Sequence, residues 1–256
     1  MLQATPVHSE SPRYATSLLF LPDLWAPARV WLPAATFFGH RGWEGQLVEL
    51  RGTGDLAARA AALIEHARRL PHAPVLIGHG AGALVALEAA RAGGVSAAVL
   101  IAPLVPGTAG VRTLTRRWDA LVALALGRPI PPPRDAAARR IFGEVPADLD
   151  DEPARAVLDV VRGQLPSGSP LGVPTLVVAG ERDPLLAPFA AAALAAALSA
   201  EFVEIAGAAH WPILAPAWQR TVGEVHRWLV RRLGEGLLDF YGEAMAERGA
   251  GGPDDE

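Results

Sequence analysis

Short apolar runs alternate along the chain with longer stretches in which apolar positions recur at helical spacing. The runs Leu18–Leu21, Leu47–Leu50, Val75–Gly78, Ala97–Ala102, Thr175–Gly180 and Phe202–Ala206 read as strands. They are apolar throughout rather than alternating, as expected of a parallel sheet covered on both faces. Between them, helical patterns fall at Ala28–Phe38, Asp55–Leu70, Ala83–Ala92, Leu185–Ala200 and Pro216–Leu233. The fold class predicted is α/β, a mostly parallel sheet with helices on both faces.

The alternation fails between about residues 105 and 168. Helical patterns at Val111–Leu126, Arg134–Phe142 and Asp151–Gln164 are joined by a proline-rich stretch, Gly127 to Pro133, that no helix or central strand can cross. Residues 236–247 form one more amphipathic pattern, with Leu237, Leu238, Tyr241 and Met245 on one face. That face packs on the domain itself or forms an oligomer contact. Residues 249–256 are Gly-rich and then acidic, and read as a disordered tail.

At 256 residues and 51% hydrophobic content, one core suffices, so residues 1–248 are taken as a single domain. A net charge of −4 gives no basic footprint for nucleic acid. No segment has the length and apolarity of a membrane span, and the N-terminus has no signal-peptide pattern. A cytoplasmic location is the default expectation. The chain has neither cysteine nor lysine, which excludes thiol nucleophiles, thiolate metal sites and Schiff bases. No cofactor and no metal is expected.

The chemistry concentrates at three places. Val75 to Ala92 reads as strand, Gly-rich turn (Gly78-His79-Gly80-Ala81-Gly82) and helix. The strand Thr175–Gly180 runs into Asp183, and the strand Phe202–Ala206 runs through Gly207 to His210 and Trp211. A strained strand–turn–helix followed by Asp and then His is the order of a Ser-His-Asp acyl-transfer relay, except that Gly80 stands where the serine would be. On these residues the chain, from about 17 to 233, resembles the alpha/beta-hydrolase superfamily, in a variant with Gly in place of the elbow serine. The resemblance implies that Asp183 orients His210, and that His210 faces the turn at Gly80. It further implies that the backbone N–H groups of Ala81 and Leu24 form an oxyanion hole and that residues 105–168 are a lid. The loop after the first parallel strand reads Pro22-Asp23, where many relatives carry His-Gly. Residues 1–16 are too short for the antiparallel hairpin that often opens such folds, so one or both early strands are expected to be missing.

Several readings compete at these residues. Gly78-x-Gly80-x-x-Ala83 also fits a dinucleotide fingerprint, but the next strand ends Ala102-Pro103-Leu104 without the carboxylate that would hold a ribose. None of the seven serines lies where it could replace the missing hydroxyl. His79 reads as structural, packed behind the turn. Asp23, Trp25 and Trp211 are assigned to the substrate pocket, with Asp23 as a surface-loop residue the alternative; Trp31 and Trp118 are further pocket candidates. The space left by the absent hydroxyl is expected to hold a water molecule. The leading expectation is an enzyme without a serine intermediate: His210, held by Asp183, acts as general base on water or on a small apolar carbonyl substrate. Gly80→Ser would then complete the relay. The rival expectation is a non-catalytic pseudo-hydrolase that binds a ligand or a partner protein, since fold alone does not set function.

Overall fold

The computed structural model describes residues 2–50, 54–143, 146, 148–163, 169–214 and 216–234. The amphipathic segment 236–247 and the tail 249–256 lie outside the described residues.

Among the described residues, seven strands form one sheet: β1 (Gln3–Val7), β2 (Leu18–Leu21), β3 (Gly45–Glu49), β4 (Val75–His79), β5 (Ala97–Ile101), β6 (Thr175–Gly180) and β7 (Glu201–Ile205). Their spatial order is β1-β3-β2-β4-β5-β6-β7, with only β1 antiparallel to its neighbour. The six parallel strands coincide with the predicted runs to within two residues. The edge strand β1 is an addition to the sequence reading. Its pattern is mostly exposed, so it lacks the apolar run that marks its partners, yet Gln3 to Val7 pair with Glu49 to Gly45.

The continuous apolar character of the strands follows from burial on both faces. Leu18, Phe20, Ile77 and Val99 point into one hydrophobic cluster, with α1 (Leu32–Gly39) and α9 (Trp218–Leu233) packed on it. Leu19, Leu21, Leu76 and Ala98 point into the other, under α2 (Leu56–Ala67), α3 (Ala81–Arg91) and α8 (Pro188–Leu198). Such two-sided burial fixes strand register, because a slip of one residue would exchange the two faces.

Among its described residues, the segment between β5 and β6 holds four helices: α4 (Ala109–Arg112), α5 (Trp118–Ala125), α6 (Asp135–Phe142) and α7 (Ala154–Arg162). The single helix expected over Val111–Leu126 is interrupted. Arg117 is extended, and its guanidinium donates to the carbonyls of Leu114 and Pro131, so tertiary hydrogen bonds override the helical periodicity there. Phe142, Ile130 and Val157 from this segment join the cluster that also contains Trp25 and Trp211.

Candidate active site

The register brings the functional loops to one edge. Leu21 of β2 pairs with Gly78 of β4, Ile101 of β5 with Val178 of β6, and Gly180 with Ile205 of β7. Residues 23, 80, 183 and 210 therefore leave the C-terminal ends of neighbouring strands, where open α/β sheets place their ligand crevice.

The turn between β4 and α3 is held on both sides of residue 80: Gly80 N–H donates to the Ile101 carbonyl at 3.0 Å and Leu104 N–H donates to the Gly80 carbonyl at 3.3 Å. Gly80 has φ 58° and ψ −116°, a conformation that L side chains rarely adopt. Gly82 is required for a different reason: a Cβ there would lie 2.4 Å from the Pro22 carbonyl oxygen, so its absence lets the Pro22-Asp23-Leu24 loop rest on the start of α3.

That loop carries the decisive side chain. Asp23 is 3% exposed, and its carboxylate fills the space in front of Gly80. Asp23 Oδ1 accepts hydrogen bonds from the backbone N–H groups of Ala81 and Leu24, both at 2.7 Å. Asp23 Oδ2 lies 3.0 Å from His210 Nε2. The two amides expected to form an oxyanion hole do converge on one point, and that point is occupied by the protein's own carboxylate oxygen. A Cβ on residue 80 would fall 2.0 Å from Asp23 Cγ. This corrects three expectations: Asp23 is not a surface-loop residue, the space above Gly80 is filled by its carboxylate rather than by water, and a serine at position 80 would collide with Asp23.

His210 is held from its other side as well. Its Nδ1 lies 2.9 Å from Asp183 Oδ2, while Asp183 Oδ1 accepts from the N–H groups of Leu185 and Leu186 at 2.8 and 3.2 Å. Asp183, His210 and Asp23 thus form one buried chain of contacts through the two ring nitrogens of His210. Burial alone would push the imidazole down, but the charge and hydrogen bond of Asp183, joined by those of Asp23, outweigh it and raise His210 to about 10. At neutral pH the resting His210 is therefore protonated, with Asp183 on one side of the ring and Asp23 on the other. Burial likewise opposes ionisation of Asp23, but its hydrogen bond to His210 and the neighbouring imidazoles and Ala81 N–H hold its carboxyl below the ordinary value.

His79, read from the sequence as packing, stands inside this group. Its Nε2 lies 2.7 Å from the His210 carbonyl oxygen, which can only accept, so Nε2 carries the proton. Its Nδ1 is buried, has no hydrogen-bond partner among the described residues and lies 4.0 Å from Asp23 Oδ2. Burial pushes His79 down to about 4, so it is neutral at pH 7. The only sequence signal for this role is a histidine immediately before the turn, and spacing cannot say which way its ring faces.

Aromatic rings close the site. Phe142 of α6 stacks on His210 with centroids 5.8 Å apart, and Trp211 lies 4.3 Å from the His79 ring. Trp25 meets Phe142 edge-on at 6.1 Å. It has φ 64° and is held there by Nε1–H donating to the Ile130 carbonyl and N–H donating to Glu152 Oε2. Glu152 in turn binds the buried guanidinium of Arg59 on α2. Neither Arg59 nor Glu152 carries a motif, and their pairing across 93 positions is invisible to local pattern. Of the remaining pocket candidates, Trp31 packs against Phe20 in the core, whereas Trp118 is 81% exposed on α5 and lines no interior.

Comparison with known proteins agrees with this geometry at the level of fold. Similar structures include an esterase from Thermogutta terrifontis (TM-score 0.66, 21% identity, 90% of this chain and 93% of that one). A monoacylglycerol lipase from Paleococcus ferrophilus gives a TM-score of 0.66 at 16% identity over 91% and 99% of the two chains. An enol-lactonase from Burkholderia xenovorans gives 0.67 at 18% identity over 90% and 96%. No curated protein matches the sequence. The model of the alpha/beta hydrolase family matches residues 18–221, from the first parallel strand into α9, and the chain belongs to that family.

Proposed function

We propose that this protein is a hydrolase in which the Asp23 carboxylate takes the part of the missing hydroxyl and attacks a saturated, electrophilic carbon. The observation that carries this reading is the division of labour between the two Asp23 oxygens: Oδ1 sits on the Ala81 and Leu24 amides, and Oδ2 faces His210. While Asp23 holds those amides, a substrate carbonyl has no place there, so the electrophile is an alkyl carbon bearing a leaving group rather than the carbonyl compound anticipated above.

In the first step Oδ2 forms a bond to that carbon and the leaving group departs with the bonding pair: an epoxide oxygen takes the proton of the His210 imidazolium, whereas a halide leaves as the anion and the imidazolium gives its proton to solvent. The product is an alkyl ester of Asp23 with His210 neutral. Esterification removes one of the two carboxylates that keep His210 protonated, so a base becomes available once there is an ester to hydrolyse. In the second step water attacks Asp23 Cγ and gives its proton to His210 Nε2. The oxyanion then develops on Oδ1, where two amides already point. Collapse breaks the Cγ–Oδ2 bond and the alkoxide takes the proton from His210 to leave as alcohol; the new Asp23 carboxylic acid then passes its proton to His210 Nε2, which regenerates the carboxylate and the imidazolium. Asp183 orients the imidazole throughout. The surrounding Trp25, Phe142 and Trp211 suit a small apolar substrate such as an alkyl halide or a terminal epoxide, admitted by movement of the α6 segment as a lid.

A second reading, the non-catalytic pseudo-hydrolase, is favoured by burial: His79 and His210 are 0% exposed and Asp23 is 3% exposed. One experiment separates the two. The protein is incubated with short 1-bromoalkanes or 1,2-epoxyalkanes in H2¹⁸O, and the peptide containing Asp23 is analysed by mass spectrometry. Covalent catalysis predicts product alcohol and ¹⁸O in the Asp23 carboxylate, both lost in Asp23→Asn. Absence of adduct, product and label with both substrate types leaves the pseudo-hydrolase.

A further inference from the structure

His79 has one ring nitrogen that the relay above leaves without a role. Its Nε2–H is committed to the His210 carbonyl, so its Nδ1 presents a bare lone pair, fully buried, toward Asp23. His210 is arranged in the same way from the other side: Nδ1 is committed to Asp183, and Nε2 points at the same Asp23 oxygen. Three donor atoms, His79 Nδ1, His210 Nε2 and a carboxylate oxygen of Asp23, therefore lie within 4.8 Å of one another.

We propose that these three atoms form a binding site for a divalent transition-metal cation of the zinc type. The donor set, two imidazoles and one carboxylate, matches borderline cations rather than magnesium or calcium, which prefer oxygen throughout. The spacing is compatible. Metal–ligand distances of about 2.0–2.2 Å in a tetrahedral site put ligand atoms roughly 3.4 Å apart. Here Asp23 Oδ2 is 3.0 Å from His210 Nε2 and 4.0 Å from His79 Nδ1.

The outer partners argue in the same direction. A metal-binding histidine ordinarily donates its second ring N–H to a carboxylate or a backbone carbonyl, which fixes the tautomer and turns the free lone pair inward. His210 has the carboxylate, Asp183, and His79 has the carbonyl of residue 210. Three protein ligands leave a fourth position in a tetrahedral shell. The proposal does not rest on covalent chemistry at Asp23. A bound cation would tie up Oδ2, so zinc would inhibit any Asp23-dependent turnover.

The test is titration of the chelator-treated full chain with Zn²⁺ by calorimetry and with Co²⁺ by visible absorption. The expected result is one equivalent bound per chain, with the d–d spectrum of a four-coordinate cobalt ion. Binding is lost in Asp23→Asn and in His79→Ala, each checked for native circular dichroism, and is unchanged in the surface variants His8→Ala and His40→Ala. In Asp183→Asn the dissociation constant rises about 10–100-fold, the usual effect of removing an outer-shell carboxylate. Should His79→Ala fail to fold, Asp23→Asn decides alone. Failure of the wild-type chain to bind either ion would overturn the proposal. Stoichiometric binding that survives both ligand substitutions would overturn it equally.

Discussion

Asp23 Oδ1 accepts from Ala81 N–H at 2.7 Å, the amide that in a serine relay would be reserved for the substrate's developing oxyanion. The carboxylate and an elbow side chain exclude one another, because a Cβ at residue 80 lies 2.0 Å from Asp23 Cγ. Gly80 and Asp23 are thus interdependent: the carboxylate can occupy its position only because residue 80 has no side chain.

The first prediction follows from that exclusion. Gly80→Ser alone should destabilise the protein and leave it inert toward short p-nitrophenyl esters and fluorophosphonate probes. The substitution forces a non-glycine residue to φ 58°, costing about 1–3 kcal/mol, and also displaces a buried carboxylate. The double variant Gly80→Ser with Asp23→Gly removes the collision and vacates the two amides, so probe labelling of Ser at 80 is expected there. Labelling of the single variant would show that Asp23 swings aside freely.

How far this site was legible in the sequence differs residue by residue. The strands, the turn at Gly80 and the placement of Asp183 and His210 after β6 and β7 were readable, because two-sided burial and the need for a turn leave a local imprint. Asp23 was visible as a departure, Pro22-Asp23, but its direction was not: whether a loop side chain faces solvent or the turn depends on Gly82 admitting the loop and on Trp25 being held by Glu152. His79 was readable as a packed residue but the direction of its ring was not, since that is set by the His210 carbonyl, 131 residues away. The edge strand β1 and the break before α5 were missed because a half-exposed strand carries no apolar run and a side-chain hydrogen bond carries no period.

The second prediction concerns the tie between the insertion and the oxyanion loop. Glu152 is 0% exposed and accepts from both Arg59 and the Trp25 N–H. Glu152→Ala leaves a buried guanidinium and a buried N–H without their partner, a loss of about 3–5 kcal/mol for a broken buried pair. At about 2–4 °C per kcal/mol for a domain of this size, thermal unfolding should show a large drop in Tm. A change within about 0.5 kcal/mol, as is usual for surface sites, would mean that the pair is relaxed in solution.

A third prediction is the pH profile of stability. His210 is raised to about 10 from an ordinary 6.5, so the folded state keeps a proton that the unfolded chain loses above pH 6.5. Its contribution is fully present below 6.5 and is lost as pH rises toward 10. His79 is lowered to about 4, so the unfolded chain takes up a proton first, and stability is lost as pH falls from 6.5 toward 4. Urea unfolding measured across this range should therefore peak near pH 6.5, with a shallower alkaline limb in Asp23→Asn, which removes one of the causes raising His210. Stability climbing steadily from pH 6.5 to 10 would contradict a protonated His210.

The last prediction treats Asp23 as a built-in anion and asks whether a free one can replace it. Asp23→Ala leaves the buried N–H groups of Leu24 and Ala81 without an acceptor, and leaves His210 Nε2 facing a space about the size of the lost carboxylate. Two amides, the first turn of α3 and an imidazolium still held by Asp183 then converge on that space, an arrangement that favours an anion. Stabilisation by a ligand that binds only the folded state grows as RT ln(1 + [L]/Kd), so acetate or formate at about 100 times its Kd should restore about 2.7 kcal/mol. Differential scanning fluorimetry should accordingly show the Tm of Asp23→Ala rising with acetate concentration, while the wild type, whose own carboxylate fills the position, responds no more than to chloride at equal ionic strength. Equal responses in the two proteins would mean that the anion acts elsewhere on the surface. No response in Asp23→Ala would mean that its loop collapses onto Gly80 and closes the space, and that the two amides are held together only by the aspartate that occupies them.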